Sequence, residues 1–177
     1  MDNIEHGPCR LHAPWRMEYI ENAGAATPGC IFCIKPREDK DRENYILHRS
    51  QYNFVILNAF PYNNGHLMVI PYQHTANLSD LPAETMLEMI QLTDMATRAM
   101  TLCMRPEGFN IGMNLGRPAG AGIAEHLHMH VVPRWNGDTN FMPVLGNTRV
   151  LPESLDKTWQ KLHAAFKEAL DKACANG

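Results

Sequence analysis

The feature that most constrains this sequence is a short run in which histidine alternates with apolar residues, at positions 126 to 132. Alternation with a period of two is typical of a β-strand, because every second side chain of a strand lies on the same face. The histidines His126, His128 and His130 are therefore predicted to share one face. The apolar residues between them can pack against a core, so the histidine face is predicted to line a cleft.

Length and composition indicate one globular domain. We interpret residues 1–177 as a single domain with an N-terminal arm at 1–29 and a C-terminal helix at 152–174, because 177 residues can build a sizeable core. The net charge of −3 gives no basic surface for nucleic acid. No apolar run reaches the length of a membrane span, and the N-terminus lacks the pattern of a signal peptide. We expect a cytoplasmic protein that binds neither nucleic acid nor membrane.

Four further strands are predicted from runs rich in β-branched and aromatic residues: 44–48, 53–57, 66–70 and 109–113. The sequence Asn63-Asn64-Gly65 predicts a tight turn before the third of these. The first three are expected to form an antiparallel meander.

Two helices are predicted from residues that recur in steps of three and four. The first runs from about residue 78 to just before Pro106, with the stripe Met86, Met89, Ile90, Thr93, Ala96 and Met100. The second starts at Pro152, and its packing residues are Leu155, Trp159, Leu162, Phe166 and Leu170. His163 on this helix is interpreted as a surface residue without a partner. The layout predicts an α+β fold: an antiparallel sheet of about five strands, one long helix on a face, and a C-terminal helix.

Two short stretches indicate chemistry beside the histidines. Residues 114–125 are rich in glycine, which lets backbone N–H groups approach a phosphate closely, and they lead directly into the histidine run. Cys30 and Cys33 have the spacing with which two thiolates share a tetrahedral zinc. The alternative is a redox pair, but that normally begins a helix after a strand in a βαβ setting, which this sequence does not show. The odd number of cysteines, five, argues against a disulfide framework.

The run His126-Leu-His128-Met-His130-Val-Val resembles the signature of the histidine triad family, His-x-His-x-His followed by apolar residues. Residues 114–125 resemble the phosphate loop of that family. Residues 13–20 and 133–142 resemble a bacterial branch close to diadenosine tetraphosphate phosphorylases and hydrolases. The resemblance covers about residues 11–151. It implies a HIT-like fold and a homodimer in which two sheets join edge to edge.

The resemblance also implies catalytic roles. Neutral imidazole is a good nucleophile near pH 7, and His128 would attack an α-phosphate to form a covalent nucleotidyl-histidine. The backbone carbonyl of His126 would fix its tautomer, while His130 and His66 would donate to the phosphoryl oxygens. Water or phosphate would resolve the intermediate. The implied substrate is a dinucleoside polyphosphate, with a phosphoramidate of AMP as the alternative.

Substrate-binding positions follow from the same resemblance. Asn58 matches the residue that holds the ribose hydroxyls, where most relatives carry Asp. Asn114 and Gly120 belong to the phosphate loop, in which Gly122 and Ile123 replace a glutamine and a serine-like donor of many relatives. We therefore expect the backbone cradle to remain and the side-chain contacts to the leaving group to differ.

Trp135 lies in the polar loop after the triad. One interpretation is that its indole stacks on a second nucleotide. The other is that it caps a sheet edge or fills a dimer contact.

Zinc-bearing members of the family use a Cys-x-x-Cys, a histidine just after a strand ending in Ile-Pro, and the first triad histidine. Those positions correspond here to Cys30, Cys33, His74 and His126, which we predict to hold a structural zinc. Two rival functions use the same residues differently. A metal-dependent hydrolase would use the triad as three zinc ligands. A non-catalytic nucleotide-binding module would bind a nucleotide without converting it.

Overall fold

The structure, a computed structural model, describes residues 29–141, residue 145 and residues 151–175, the last three of these in backbone only. The predicted N-terminal arm at 1–29 lies outside the described residues except for Gly29. The helices and strands of the described part are, in chain order, α1 (Ile31–Ile34), β1 (Ile46–Arg49), β2 (Asn53–Leu57), β3 (Leu67–Pro71), α2 (Ala83–Met104), β4 (Gly108–Met113), β5 (Met129–Arg134) and α3 (Leu155–Ala175).

The strands form a five-stranded antiparallel sheet with the order β1-β2-β3-β5-β4, which confirms the predicted α+β fold and the meander. β5 lies between two partners: Val131 pairs with Leu67 on one side and with Ile111 on the other. The histidine run therefore leads into a strand that is hydrogen-bonded on both edges, a rigid position for a site.

The strand that carries the histidines starts later than predicted. β5 begins at Met129, and His126 and His128 lie in the segment just before it. The reason is that the N–H of Leu127 donates to the carbonyl of Thr75, beyond the end of β3, instead of to a ladder partner. The alternation nevertheless persists through this segment, because Leu127 packs in the core on the opposite side from the histidines.

Each face of the sheet carries an apolar layer. The larger layer, the helix-side core, packs α2 and α3 onto the sheet and includes Val55, Leu67, Val69, Met89, Leu92, Met100, Leu127, Val131, Leu162 and Phe166. The smaller layer, the histidine-side cluster, consists of Phe32, Ile46, Phe54, Ile56, Met68 and Ile70. His66 is two and four residues before Met68 and Ile70, so it shares their face of the sheet.

The predicted stripe of α2 was partly wrong. Its buried residues are Thr85, Met89, Leu92, Thr93, Ala96, Ala99 and Met100, whereas Met86 and Ile90 are exposed. Met86 and Ile90 each follow a buried residue by one position, which turns them about 100° away from the sheet. The hydroxyl of Thr93 is buried but donates to the Met89 carbonyl, so it can belong to the packed face.

α3 begins at Leu155, three residues after the predicted start, and it buries Leu162 and Phe166 as predicted. His163 is exposed, as predicted, but the prediction that it has no partner was wrong. Its Nδ1 lies 3.1 Å from the Leu47 carbonyl and its ring stacks on Trp159 with the centroids 4.6 Å apart.

The turn at Asn63-Asn64-Gly65 sets the position of His66. Gly65 has a φ of +79°, and a β-carbon there would lie 2.8 Å from the sulfur of Met104. Glycine is therefore required both by the backbone and by the close approach of α2. Among the residues that the structure describes, no helix is long and apolar enough to cross a membrane.

Candidate functional site

The histidine layer lies on the face of the sheet opposite α2 and α3. His66, His126, His128 and His130 are all buried, with the least buried of them 8% exposed. The rings of His128 and His130 meet edge to face with centroids 4.8 Å apart. The structure thus brings together all four predicted catalytic histidines.

His128 has a defined tautomer. Its Nδ1 lies 2.8 Å from the backbone carbonyl of His126, an acceptor only, so Nδ1 carries the proton and Nε2 carries the lone pair. Burial lowers the pKa of His128, and the bond to the His126 carbonyl opposes this only in part. The ring is therefore neutral at pH 7, with a nucleophilic nitrogen.

The rings of His66 and His130 share a hydrogen bond with a defined donor and acceptor. The backbone N–H of Tyr62 donates to Nδ1 of His66, so the proton of that ring is on Nε2. This Nε2 lies 2.9 Å from Nδ1 of His130 and donates to it. The proton of His130 is then on its own Nε2, which makes that nitrogen a donor. Both nitrogens of His66 are engaged in these bonds, so the predicted donation from the His66 ring directly to a phosphoryl oxygen does not fit this arrangement.

Four side chains form a compact cluster at the other end of the layer: Cys30, Cys33, His74 and His126, whose ligand atoms all lie within 4.8 Å of one another. Nδ1 of His126 is 3.2 Å from the sulfur of Cys30 and 3.6 Å from that of Cys33. Nδ1 of His74 is 3.4 Å from Cys33 and 3.2 Å from Nδ1 of His126. A tetrahedral zinc with sulfur and nitrogen ligands separates its ligand atoms by roughly 3.3–3.8 Å. The spacing therefore fits such an ion.

The tautomer of His126 also fits a metal. Its Nε2 lies 2.8 Å from the carbonyl of Pro71 and donates to it, which leaves the lone pair on Nδ1, the atom that faces the cysteines. Burial lowers the pKa of His126, so the ring is neutral, the form that binds metals. Burial raises the pKa of the Cys30 thiol, so a bound cation would have to displace its proton.

Of the triad, only His126 belongs to this cluster. His128 turns one ring nitrogen to the His126 carbonyl, and His130 turns one to His66. This arrangement is unlike that of a hydrolase in which all three histidines bind one zinc.

Asn58 lies beside His66. Its backbone N–H donates to the His66 carbonyl, and its side-chain oxygen accepts from the N–H of Phe60. Its side-chain nitrogen lies 3.4 Å from Nδ1 of His66. The residue thus closes the turn after β2 while standing next to the histidine layer.

The glycine-rich loop forms a tight turn that ends at the histidines. It contains a single 3-10 turn at Arg117–Ala119, followed by Gly120 with a φ of +92°. The side-chain nitrogen of Asn114 lies 3.5 Å from the Gly120 carbonyl, across the loop. Gly122 is half-buried, and Ile123 packs on the histidine-side cluster. Ile123 therefore extends the apolar wall of this cluster.

Trp135 is tied to the end of α2. Its indole N–H donates to the Arg105 carbonyl. Trp135 follows His130 by five residues, which corresponds to roughly 16 Å along an extended chain. Arg134 pairs with Asp138 at 2.6 Å and holds the pKa of that carboxyl well below its usual range. These contacts favour the interpretation of Trp135 as a residue that caps the sheet edge.

The comparisons with known proteins agree with this geometry. A protein-family model described as "HIT domain" matches residues 40–137. This chain belongs to the HIT domain family. It is 41% identical over 156 residues to a Mycobacterium tuberculosis protein named AP-4-A phosphorylase, a match that covers 84% of this chain and 80% of the relative.

Two further HIT proteins bear on the site. A zinc-bound histidine triad family protein from Mycobacterium smegmatis has a similar structure, with a TM-score of 0.65 and 31% identity, over 82% of this chain and 97% of that one. A Schizosaccharomyces pombe protein named adenosine 5'-monophosphoramidase hnt1 is 25% identical over 78% of this chain and 98% of its own length.

Two aromatic residues beside the histidines were not singled out from the sequence. Phe32 contacts the rings of His126 and His128, with centroid distances of 5.6 and 5.3 Å. Tyr62 contacts those of His66 and His130, at 4.6 and 5.6 Å. The available signals were weak: Phe32 lies between the two cysteines, and Tyr62 lies four residues before His66. The two rings flank the histidine layer at opposite ends.

Proposed function

We propose that this HIT-family chain is an enzyme that cleaves dinucleoside polyphosphates of the diadenosine tetraphosphate type by nucleotidyl transfer to His128. The observation that carries the proposal is the pair of tautomers: a lone pair on Nε2 of His128 beside a proton on Nε2 of His130. The relative named AP-4-A phosphorylase supports both the reaction class and the substrate.

In the first step, Nε2 of His128 attacks the α-phosphorus and forms a P–N bond. The P–O bond to the leaving nucleotide breaks, and Nε2–H of His130 donates to a phosphoryl oxygen on which charge builds up. His66 keeps His130 in the tautomer that this requires. In the second step, water or inorganic phosphate attacks the same phosphorus and releases the nucleotide from His128.

The substrate would lie over the histidine layer, between the glycine-rich loop and the turn after β2. Backbone N–H groups of the loop from Asn114 through Gly120 and Gly122 would hold the phosphates. Asn58, which stands next to His66, would accept a hydrogen bond from a ribose hydroxyl. Ile123 would contact the nucleotide through apolar surface.

We also propose that Cys30, Cys33, His74 and His126 hold one structural zinc. The ligand spacing and the tautomer of His126 support this, as does the zinc-bound relative. When bound, the ion would join α1 to the end of β3 and to the segment before β5. Its chemistry there is that of a cross-link, since four protein ligands leave no open coordination position for substrate.

A homodimer joined along β4 is a further part of the proposal. β4 is an edge of the sheet, and Ile111 on it is 49% exposed. Pairing with a second copy would remove this edge and cover the apolar side chain. Light scattering tests this: Ile111→Lys should convert a dimer to a monomer, and a wild-type chain that is monomeric at micromolar concentration would contradict it.

The second candidate function is hydrolysis of an AMP phosphoramidate, favoured by the similarity to the monophosphoramidase. It uses the same nucleophile and the same covalent intermediate. The two candidates differ only in the leaving group.

The test is a product assay on diadenosine tetraphosphate with and without phosphate, with an AMP phosphoramidate in parallel. ADP plus ATP would show phosphorolysis, and AMP plus ATP would show asymmetric hydrolysis. His128→Ala is the inactive control, and His163→Ala, an exposed histidine on α3, is the matched active control. If wild type cleaves the phosphoramidate much faster than the dinucleotide, the second candidate replaces the first. If it cleaves neither, the proposal fails.

A further inference from the structure

Phe32 occupies an unusual position between the metal cluster and the histidine layer. It lies in α1, a helix of four residues that begins directly after Cys30 and includes Cys33. A single turn of helix has little stability of its own in water. Phe32 is only 3% exposed, so packing and the two cysteines on either side determine where its ring lies.

We propose that Phe32 is a positioning residue for the nucleophile His128, held against it by the two metal-binding cysteines that flank it. The inference rests on the proposed function of His128. It goes beyond a structural metal, because it gives the cluster an effect on the reacting ring itself.

The contacts of His128 define what Phe32 contributes. One edge of the imidazole is anchored by the bond from Nδ1 to the His126 carbonyl. A single hydrogen bond leaves the ring able to tilt about that bond. The ring of Phe32 meets the imidazole at 5.3 Å with an interplanar angle of 57°, and so limits this tilt. The ring of His130 meets the imidazole edge to face at 4.8 Å, and together with it these two contacts fix the direction of the Nε2 lone pair.

Both contacts depend on the same cluster. The carbonyl that anchors His128 belongs to His126, whose ring is itself a cluster member through Nδ1 and is tied to Pro71 through Nε2. Phe32 is placed by Cys30 and Cys33, and its ring also meets that of His126 edge to face at 5.6 Å. We therefore expect metal binding at the cluster to affect the position of the His128 ring in two ways. One is through the His126 backbone carbonyl, and the other is through the contact with the Phe32 ring.

The expected effect is on turnover. A misplacement of about 1 Å of a reacting group can lower a rate by roughly 100-fold. We expect Phe32→Leu to lower kcat by about 10- to 100-fold while KM changes by less than about threefold.

The matched control is Phe166→Leu. Phe166 is 1% exposed in the helix-side core, on the other face of the sheet, and its ring stacks on His48. Both variants remove the same ring from a buried site, so both should lower the melting temperature to a similar extent. Only Phe32→Leu should lower kcat.

A second measurement needs no substrate and keeps this inference separate from the proposed function. Long-range ¹H–¹⁵N correlation spectra at fixed pH report which ring nitrogen of His128 carries the proton. Zinc-loaded wild type and Phe166→Leu should show one tautomer with a protected Nδ1–H. Phe32→Leu, and wild type stripped with a chelator, should show exchange broadening of that signal or a mixture of tautomers.

Three results would overturn the inference. The first is a kinetic result: if Phe32→Leu has the same kcat as Phe166→Leu, Phe32 is a packing residue. If it has a raised KM and an unchanged kcat, Phe32 is a substrate-contact residue. The second is an unchanged His128 signal in Phe32→Leu. The third is an unchanged signal after chelation. If no nucleotide is turned over but the spectra behave as expected, the proposed function fails, and Phe32 is a residue that positions the His128 ring without a role in turnover.

Discussion

Replacing Gly65 with alanine tests the account of the turn that places His66. Gly65 has a φ of +79°, and the added β-carbon would lie 2.8 Å from Sδ and 2.9 Å from Cε of Met104. The backbone strain costs about 1–2 kcal/mol for a residue with a β-carbon. The overlap adds about 1–2 kcal/mol, at the lower end of overpacking costs because the end of a methionine side chain can move. The free energy of unfolding should therefore fall by about 2–4 kcal/mol.

Urea denaturation measures this value, and the chain contains two controls. Gly137 has a φ of +74° with nothing within 4 Å of its added β-carbon, so Gly137→Ala should show the strain alone, about 1–2 kcal/mol. Gly112 has neither a positive φ nor a neighbour within 4 Å in its own chain, so Gly112→Ala, measured in the Ile111→Lys background that breaks the proposed dimer, should cause no loss and a gain of up to about 1 kcal/mol. If Gly65→Ala costs no more than Gly137→Ala, the close approach of α2 to this turn is refuted.

Four further outcomes are expected. His128→Ala should lower turnover by more than about 10⁴-fold with the fold intact by circular dichroism, because it removes a covalent nucleophile; retention of a tenth of the activity would end that assignment. Protein purified without added metal should contain one zinc per chain, and chelation should lower its melting temperature; a metal content near zero with an unchanged melting temperature contradicts this. Trp135→Ala should reduce use of dinucleotide and AMP phosphoramidate alike, because the indole binds the Arg105 carbonyl; a loss of 1–3 kcal/mol confined to the dinucleotide would instead show stacking on a second base. Because burial lowers the pKa of His128 and the neutral ring is the nucleophile, kcat/KM should fall on the acid side with a midpoint below about 6.5, the usual value of a histidine; a midpoint above 6.5 is incompatible with this.

Local patterns in the sequence predicted most of the architecture. Strands such as β2 and β3 are short apolar runs bounded by turn residues, and their pairing follows from the turns between them. The start of β5 was predicted too early, because the bond from Leu127 to Thr75 joins residues that are distant in the sequence. The stripe of α2 was displaced by one position at Met86 and Ile90 for a similar reason. A periodic pattern gives a helical face, but only packing shows which edge of that face touches the sheet.

The candidate site, like the fold, could be predicted from the sequence only in part. The three triad histidines and the two cysteines were identified because each belongs to a dense local pattern, whereas His66 and His74 were identified only from the family resemblance. Their tautomers could not be predicted, since these depend on backbone groups such as the Pro71 carbonyl and the Tyr62 N–H, which carry no side-chain signature. Phe32 was missed because an aromatic residue in a short apolar stretch is most often ordinary core.

The cluster of Cys30, Cys33, His74 and His126 also has a consequence for the unfolded chain. Its members are far apart in sequence, with Cys33 and His74 separated by 41 residues and His74 and His126 by 52. The length-dependent entropy of closing each loop is roughly 3 kcal/mol at these lengths. In the folded chain the ligand atoms lie within 4.8 Å of one another, so the fold holds both loops closed. The folded chain should therefore bind the ion more tightly than the unfolded chain by roughly 10⁴- to 10⁵-fold from loop closure alone. If the cluster binds zinc as proposed, a concentration of zinc too low to bind the unfolded chain should still bind the native protein and stabilise it against unfolding.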